Sequence, residues 1–376
     1  MQRAKWTSRL NWSIVALGVA LMLLGWVGIA RSEELAGTSG RYIQRQLLWS
    51  LVCIVAMLLA TVPSYRILAR WSYVAFFASL VLLVAVYFFA PVNGAQRWIR
   101  FGPVGLQPSE FAKLAFVLGL ARYLMYRDSY RNLSGLLVPL ALVMVPLLLI
   151  LKEPDLGTAL VFLPVLFVML FAAGARRRHL ALLVVVAVAV MPLLWSQMSR
   201  EQKSRITALA EQTRAAEKPT DDGYHLHRAK QVLALGGWTG SLFAGQTTDD
   251  TSVYFVPEAH TDAIAVVLGE RLGLLGWAVL LTLFALLTWR GLAVAQATRE
   301  PYGRLVAIGI AALLAAQVLI NTGMLVGLLP ITGLALPLVS YGGSSLLANC
   351  LALGLLLNIG LRPGYEVTNE PFRFVR

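Results

Sequence analysis

Four stretches of this 376-residue chain place chemically capable side chains in an otherwise apolar sequence. The sharpest is Phe255-Val256-Pro257-Glu258-Ala259-His260-Thr261-Asp262. An aspartate such as Asp262 can take a proton from a hydroxyl if its pKa suits the task and it lies within hydrogen-bond reach. With Glu258 and His260 it could equally hold a divalent cation, or cap the helix that follows. The second stretch is Gln96-Arg97-Trp98-Ile99-Arg100-Phe101-Gly102, followed by Gln107-Pro108-Ser109-Glu110-Phe111-Ala112-Lys113. Glu110 and Lys113 are three apart, hence on one helix face and able to pair. An ammonium left alone at membrane depth would cost roughly 2.5–3.5 kcal/mol. Lys113 therefore either belongs to a structural ion pair or lines a cationic cavity for a phosphate group, with Arg97 and Arg100 at its mouth.

The third stretch is Lys152-Glu153-Pro154-Asp155-Leu156-Gly157-Thr158. Here Pro154 is expected to open a helix, and Asp155 suits its positive end. The fourth runs from Gly327 to Ser345, with Pro330, Pro337 and several glycines. Non-helical backbone at membrane depth is tolerated only inside protein or beside a water-filled cavity. The small residues from Ser340 to Ser345 could serve helix packing or turn their N–H groups towards an anion. His225 and His227 are two apart and diverge on a helix, which argues against a metal site. Cys53 and Cys350 lie in apolar spans and read as small buried hydrophobes.

The elements that must position these residues are membrane helices. The chain is 58% apolar and 14% charged, where a soluble domain would carry roughly 25% charged residues. About 20 apolar residues are needed per crossing, because every backbone N–H and C=O must be paired within the segment. The pattern predicts an all-α membrane protein of about ten spans, approximately 10–30, 46–63, 67–90, 107–125, 135–151, 155–173, 178–195, 263–289, 304–328 and 339–361. The cations flanking the first apolar run resemble a signal peptide. The run is too long for one, and more spans follow, so it is read as the first membrane helix. Alternate short connections carry 17 Lys and Arg against 6, which places both termini in the cytoplasm. One long outer segment, residues 196–262, separates spans seven and eight within a single domain covering 1–376. The formal charge of +13 is spread over short connections rather than gathered on one face, so nucleic-acid binding is not expected.

The combination resembles the SEDS family (shape, elongation, division, sporulation), which includes RodA and FtsW. The pieces that carry the resemblance are GAQRWIRFG at 94–102, QPSEFAKLA at 107–115, PDLGTALV at 154–161, FVPEAHTD at 255–262 and GLLPITGLALPLVSYGGSS at 327–345. Gly323-Met324 and the short N-terminus lean towards the RodA side. Three places depart from the family pattern. Ala263-Ile264-Ala265 stands for Phe-Ile-Phe, Val232–Gly237 lacks one Gly and a Ser, and residues 245–254 do not match.

The resemblance implies a peptidoglycan glycosyltransferase of the bacterial cytoplasmic membrane. Such an enzyme polymerises lipid II on the outer face, works with a class B penicillin-binding protein and serves cell elongation. It implies that Asp262 is the catalytic residue, and that Arg97, Arg100, Glu110 and Lys113 line a cavity for the substrate's pyrophosphate. Asp155, Glu258, His260 and Ser340 are secondary candidates. A divalent cation, Mg²⁺ or Mn²⁺, could take part. The rival expectation is a lipid II flippase, since intramembrane charges and broken helices are also features of transporters.

Overall fold

The computed structural model describes residues 10–38, 40–91, 96–102, 104–125, 132, 134–198, 200–211, 222–245 and 251–364. Expectations resting on Arg3, Lys5, Arg9, Gly94, Ala95, Arg127, Arg131, Arg214, Lys218, Arg373 and Arg376 lie outside these residues.

A helix stands at each of the ten expected spans. The first seven are α1 (Trp12–Ala36), α2 (Arg41–Leu59), α3 (Tyr65–Ala85), α4 (Pro108–Leu124), α5 (Leu137–Lys152), α6 (Leu156–Ala173) and α7 (Arg177–Gln197). The outer segment folds into α8 (Arg200–Glu211), α9 (Asp222–Leu235) and the single turn α10 (Ser241–Ala244). The chain then returns through α11 (Ile264–Ala297), α12 (Pro301–Leu325) and α13 (Gly343–Leu361). Seven of the ten are long and apolar enough to cross a membrane, and α5 is a shorter apolar helix of 16 residues. The protein is a multi-pass membrane protein.

Burial sorts the helices. In α12 and α13 the apolar stretch is 72% and 78% buried, whereas in α2 it is 22%. The first two therefore form the centre of the bundle, while α2 presents Leu48, Leu51 and Leu59 outward, as a lipid-facing helix should. The turn between α11 and α12 lies beside the end of α13, because the Arg299 amide donates to the Pro363 carbonyl at 2.9 Å. That places this turn and the end of the last helix on one side, as an even number of crossings requires.

Two features depart from the expected pattern of plain helices. The arginine loop forms a small antiparallel hairpin, β1 (Ile99–Phe101) and β2 (Val104–Leu106), with Arg100 opposite Gly105. The eighth span is interrupted at Gly273, whose φ of 68° is a left-handed conformation that favours glycine. Such a break leaves the next amides without helical partners, and the outer segment supplies them. Leu274 donates to the Gly237 carbonyl at 2.9 Å and Leu275 to the Trp238 carbonyl at 3.2 Å. The half of α11 before the break is buried from Ile264 to Glu270, so it belongs to the protein interior. A bidentate ion pair fastens it to α1, with Arg31 donating to both Glu270 oxygens at 2.8 and 3.0 Å. Both side chains are buried. Helix α1 consequently continues to Ala36, past its expected end.

Candidate active site

The expected site residues gather at one end of the bundle, around the irregular segment between α12 and α13. Asp262 closes a turn that runs into the buried half of α11. In that turn the Thr261 hydroxyl donates to the Glu258 carboxylate at 3.0 Å, and the Thr261 and Ala263 amides donate to the Glu258 carbonyl. Glu258 itself has φ 51°, a strained conformation for a residue with a side chain. Ser340 joins this turn to the Pro-Gly segment. Its hydroxyl donates to the Thr261 carbonyl at 2.5 Å and accepts from the Leu336 amide at 2.8 Å. Gln46 of α2 holds the other side, donating to the Ser340 carbonyl at 3.2 Å and accepting from the Gly342 amide. This bonding explains why α13 begins at Gly343 rather than at the expected 339. The residues from Val339 to Gly342 are spent on the turn.

The Asp262 carboxylate is half-buried and faces a small recess, lined also by His225, Val256, Pro257, Met324 and Ile331. Loss of water around it pushes its carboxyl up to about 7. The Glu258 charge adds to the rise, and its own amide, Arg205 of α8 and the Thr261 hydroxyl pull it back. Among the described residues it forms no ion pair. A general base works best when its pKa lies near the operating pH, and this environment supplies that. His260 has a different place. Its ring stacks on Tyr42 with centroids 4.4 Å apart, and burial pushes its pKa down against the charges of Glu258 and Glu33. Tyr42 is fixed in turn, because Glu33 accepts from the Tyr42 and Ile43 amides at the start of α2.

The second group sits at the starts of α4 and α6. Lys113 donates to Glu110 at 2.8 Å, and both side chains are buried. Asp155 precedes Leu156 and caps α6, accepting from the Thr158 amide at 3.0 Å and hydroxyl at 2.9 Å. The helix thus begins after Asp155 rather than at Pro154. Gln107 also donates to Asp155, at 3.3 Å. Arg97 donates to the Glu153 carbonyl at 2.9 Å and to the Pro154 carbonyl. A guanidinium there meets carbonyls left open at the C-terminal end of α5. Arg100 projects from β1 and is exposed. Ser344 of α13 ties down the hairpin, donating to the Gly105 carbonyl at 2.8 Å and accepting from the Gln107 amide at 3.2 Å.

The two groups meet through the Pro-Gly segment. A Cβ at Gly157, in the first turn of α6, would lie 2.7 Å from the Thr332 carbonyl oxygen, so only glycine permits this approach. The next residue, Gly333, lies beside the Asp262 carboxylate, with its Cβ position 3.7 Å from Oδ2. The cationic and carboxylate groups therefore flank one short stretch of backbone.

Several of these positions escaped the sequence reading. Asn321 donates to the carbonyls of both Asp262, at 2.8 Å, and Leu334, at 2.7 Å. An amide in the middle of an apolar span was the available signal. Glu153 is buried, and desolvation with the charge of Asp155 pushes its carboxyl up to about 8, opposed by Arg97. Arg205 and His225 come from the outer segment, and nothing in their spacing points to Asp262. As for a cation, Mg²⁺ is commonly held by one or two carboxylates together with substrate phosphates. Among the described residues no three His, Cys, Asp or Glu side chains form a metal cluster.

Known proteins agree with this architecture. Residues 8–362 match the FtsW/RodA/SpoVE family, described as cell cycle proteins. A protein of Trichlorobacter lovleyi called a probable peptidoglycan glycosyltransferase FtsW is 38% identical over 325 residues, 85% of this chain and 83% of that one. The peptidoglycan glycosyltransferase MrdB of Escherichia coli K12 is also 38% identical, over 309 residues, 81% and 82% of the two chains. Among solved structures, the rod shape determining protein RodA of Thermus thermophilus superposes with a TM-score of 0.70 at 30% identity, over 95% of this chain and 98% of that one. A chain from a peptidoglycan synthase complex that coordinates polymerization and crosslinking reaches 0.80 at 32% identity, over 93% and 97%. With nearly the whole length matched in sequence and in fold, the chain belongs to the FtsW/RodA/SpoVE family of cell cycle proteins, the SEDS family.

Proposed function

We propose that this protein is a peptidoglycan glycosyltransferase that polymerises lipid II at the outer face of the bacterial cytoplasmic membrane, serving cell elongation together with a class B penicillin-binding protein. The observation that carries the reading is the carboxylate of Asp262. It stands in a recess with its pKa brought to about 7, within a family whose relatives are named for this activity.

The acceptor would be lipid II, offering its GlcNAc 4-hydroxyl. The donor would be the growing glycan strand on undecaprenyl pyrophosphate. Asp262 takes the hydroxyl proton as the oxygen attacks the anomeric carbon, which inverts. The bond to the pyrophosphate breaks with its electron pair, so negative charge grows on the leaving group. Fixed cations in a low-dielectric site stabilise such charge, often the largest catalytic term. Arg100 and Lys113 are assigned this role. Arg97, engaged with the carbonyls of Glu153 and Pro154, positions the mouth of the cavity. Glu110 orients Lys113, and Asp155 and Ser340 hold the backbone that carries the site. Glu258 and His260 shape the turn of Asp262. A divalent cation would enter with the substrate's pyrophosphate and add to the positive charge around the leaving group.

The test is polymerisation of labelled lipid II by the purified protein, alone and with its transpeptidase, comparing wild type with Asp262→Asn. Long strands from wild type and a 10²–10⁴-fold slower variant are expected. Lipid II crossing a liposome bilayer with no strands formed under any condition would overturn this reading in favour of a flippase. Rescue of rod shape, but not of septation, in depleted cells tests the elongation role.

A further inference from the structure

The outer segment brings to the Asp262 recess a side chain that the mechanism above leaves unused. Helix α9 turns Leu226 and Ala229 inward, both buried, and His225 lines the recess beside them. The remaining wall is Val256, Pro257, Ala263, Met324, Leu325 and Ile331, all without ionisable groups. Among the described residues, Asp262 and His225 are therefore the two of the lining that can carry a proton. The neighbouring His227 diverges, being exposed and hydrogen-bonded to Gln231 at 2.8 Å. The placement of α9 is fixed rather than incidental. Its C-terminal end, through Gly237 and Trp238, accepts the amides freed by the break at Gly273. The same break separates the buried half of α11, which Asp262 heads, from the membrane-crossing half.

Proton balance gives this pair a task. Each glycosidic bond formed releases one proton from the acceptor hydroxyl, and Asp262 holds it when the product leaves. An apolar recess favours the neutral carboxyl, and the imidazole of His225, which can accept a proton on one ring nitrogen and donate from the other, lines the same recess and can take that proton over. We propose that His225 is a second catalytic residue of this recess, accepting the proton from Asp262 directly or through one water and passing it to solvent. The hydroxyl O–H bond breaks as the new C–O bond forms, and the pyrophosphate departs with the electron pair of the bond it loses. The proton goes from oxygen to Asp262, then to His225, then to water. The inference rests on the glycosyl-transfer reading.

The experiment is lipid II polymerisation by the full-length protein with its transpeptidase partner, for wild type, His225→Ala, His225→Gln, His227→Ala and Asp262→Asn, with and without free imidazole. His225→Ala is expected to lower kcat on the order of 10- to 100-fold with KM within about twofold. Imidazole should restore part of that loss, because the truncated side chain leaves room for it. The same imidazole should do nothing for Asp262→Asn, and His227→Ala should behave as wild type. His225→Gln keeps a polar side chain of similar size and should melt as wild type does while remaining slow. An alanine or glutamine variant with kcat within twofold of wild type overturns the proposal, as does a loss that imidazole leaves untouched. A wild-type protein that forms no strands removes the glycosyl-transfer reading itself, and this inference with it.

Discussion

The side-chain amide of Asn321 donates to the backbone carbonyl of Asp262 at 2.8 Å, joining residues 59 apart in the chain. The same amide donates to Leu334 at 2.7 Å, so one buried nitrogen sets the spacing between the carboxylate turn and the Pro-Gly segment. Asn321→Ala leaves two carbonyls unpaired, at about 1–3 kcal/mol. The variant is expected to melt lower and to lose roughly tenfold in kcat. Thermal unfolding in detergent and the polymerisation assay check this. Unchanged kcat would mean that Asp262 keeps its place without the bridge.

The Asp262 carboxyl at about 7 makes two statements about pH. As a base it must be ionised, so turnover should rise with pH through about 7, not through the ordinary range near 4. In the unfolded chain the same carboxyl ionises near 3.8, so the folded state holds more protons between about 4 and 7. Stability from this group is present at low pH and is lost as pH rises through the folded value. Asp262→Asn should therefore melt higher than wild type at pH 8, and the two should converge as pH falls towards 4.

Glu153 obeys the same sign. Its folded value of about 8 against an ordinary 4.5 means that it is neutral at pH 7. Glu153→Gln reproduces that neutral form, so activity at pH 7 should stay near wild type. Because the unfolded carboxyl ionises above 4.5, the variant should already melt higher than wild type at pH 7, the difference should level off above pH 8, and the two should converge as pH falls towards 4.5. A large loss at pH 7 would show that the ionised form is the one in use.

Glu110 and Lys113 form a buried pair, and breaking such a pair costs about 3–5 kcal/mol because one charge is left alone. Lys113→Met should destabilise strongly. Adding Glu110→Gln should recover most of the melting temperature. If Lys113 serves the leaving pyrophosphate, the double variant stays at least tenfold slow although it is stable. Full activity of the double variant would make the pair a scaffold.

The helical elements were legible because a bilayer leaves the backbone few options. Any long apolar run must become a helix with its own hydrogen bonds. The ten spans follow from this, and so does the membrane character of the chain. The pairing of Glu110 with Lys113 was legible too, because helical spacing alone brings residues three apart together. Short-range capping at Asp155 is of the same kind, although the helix proved to start one residue after it.

What the sequence could not fix are relationships between distant segments. Arg31 meets Glu270 across 239 residues, and Gln46 meets Ser340 across 294. No periodicity encodes such distances. The hairpin around Arg100, the break at Gly273 and the seating of α9 depend on which backbone groups find partners once the bundle has closed. His225 illustrates the limit. Its two-residue spacing from His227 correctly said that the rings diverge, but only the closed bundle decided that one of them lines the recess of Asp262. The residue types around Asp262 were readable in advance. The charge state of its carboxyl was not, because it depends on the water removed by helices that the chain brings together from every part of its length.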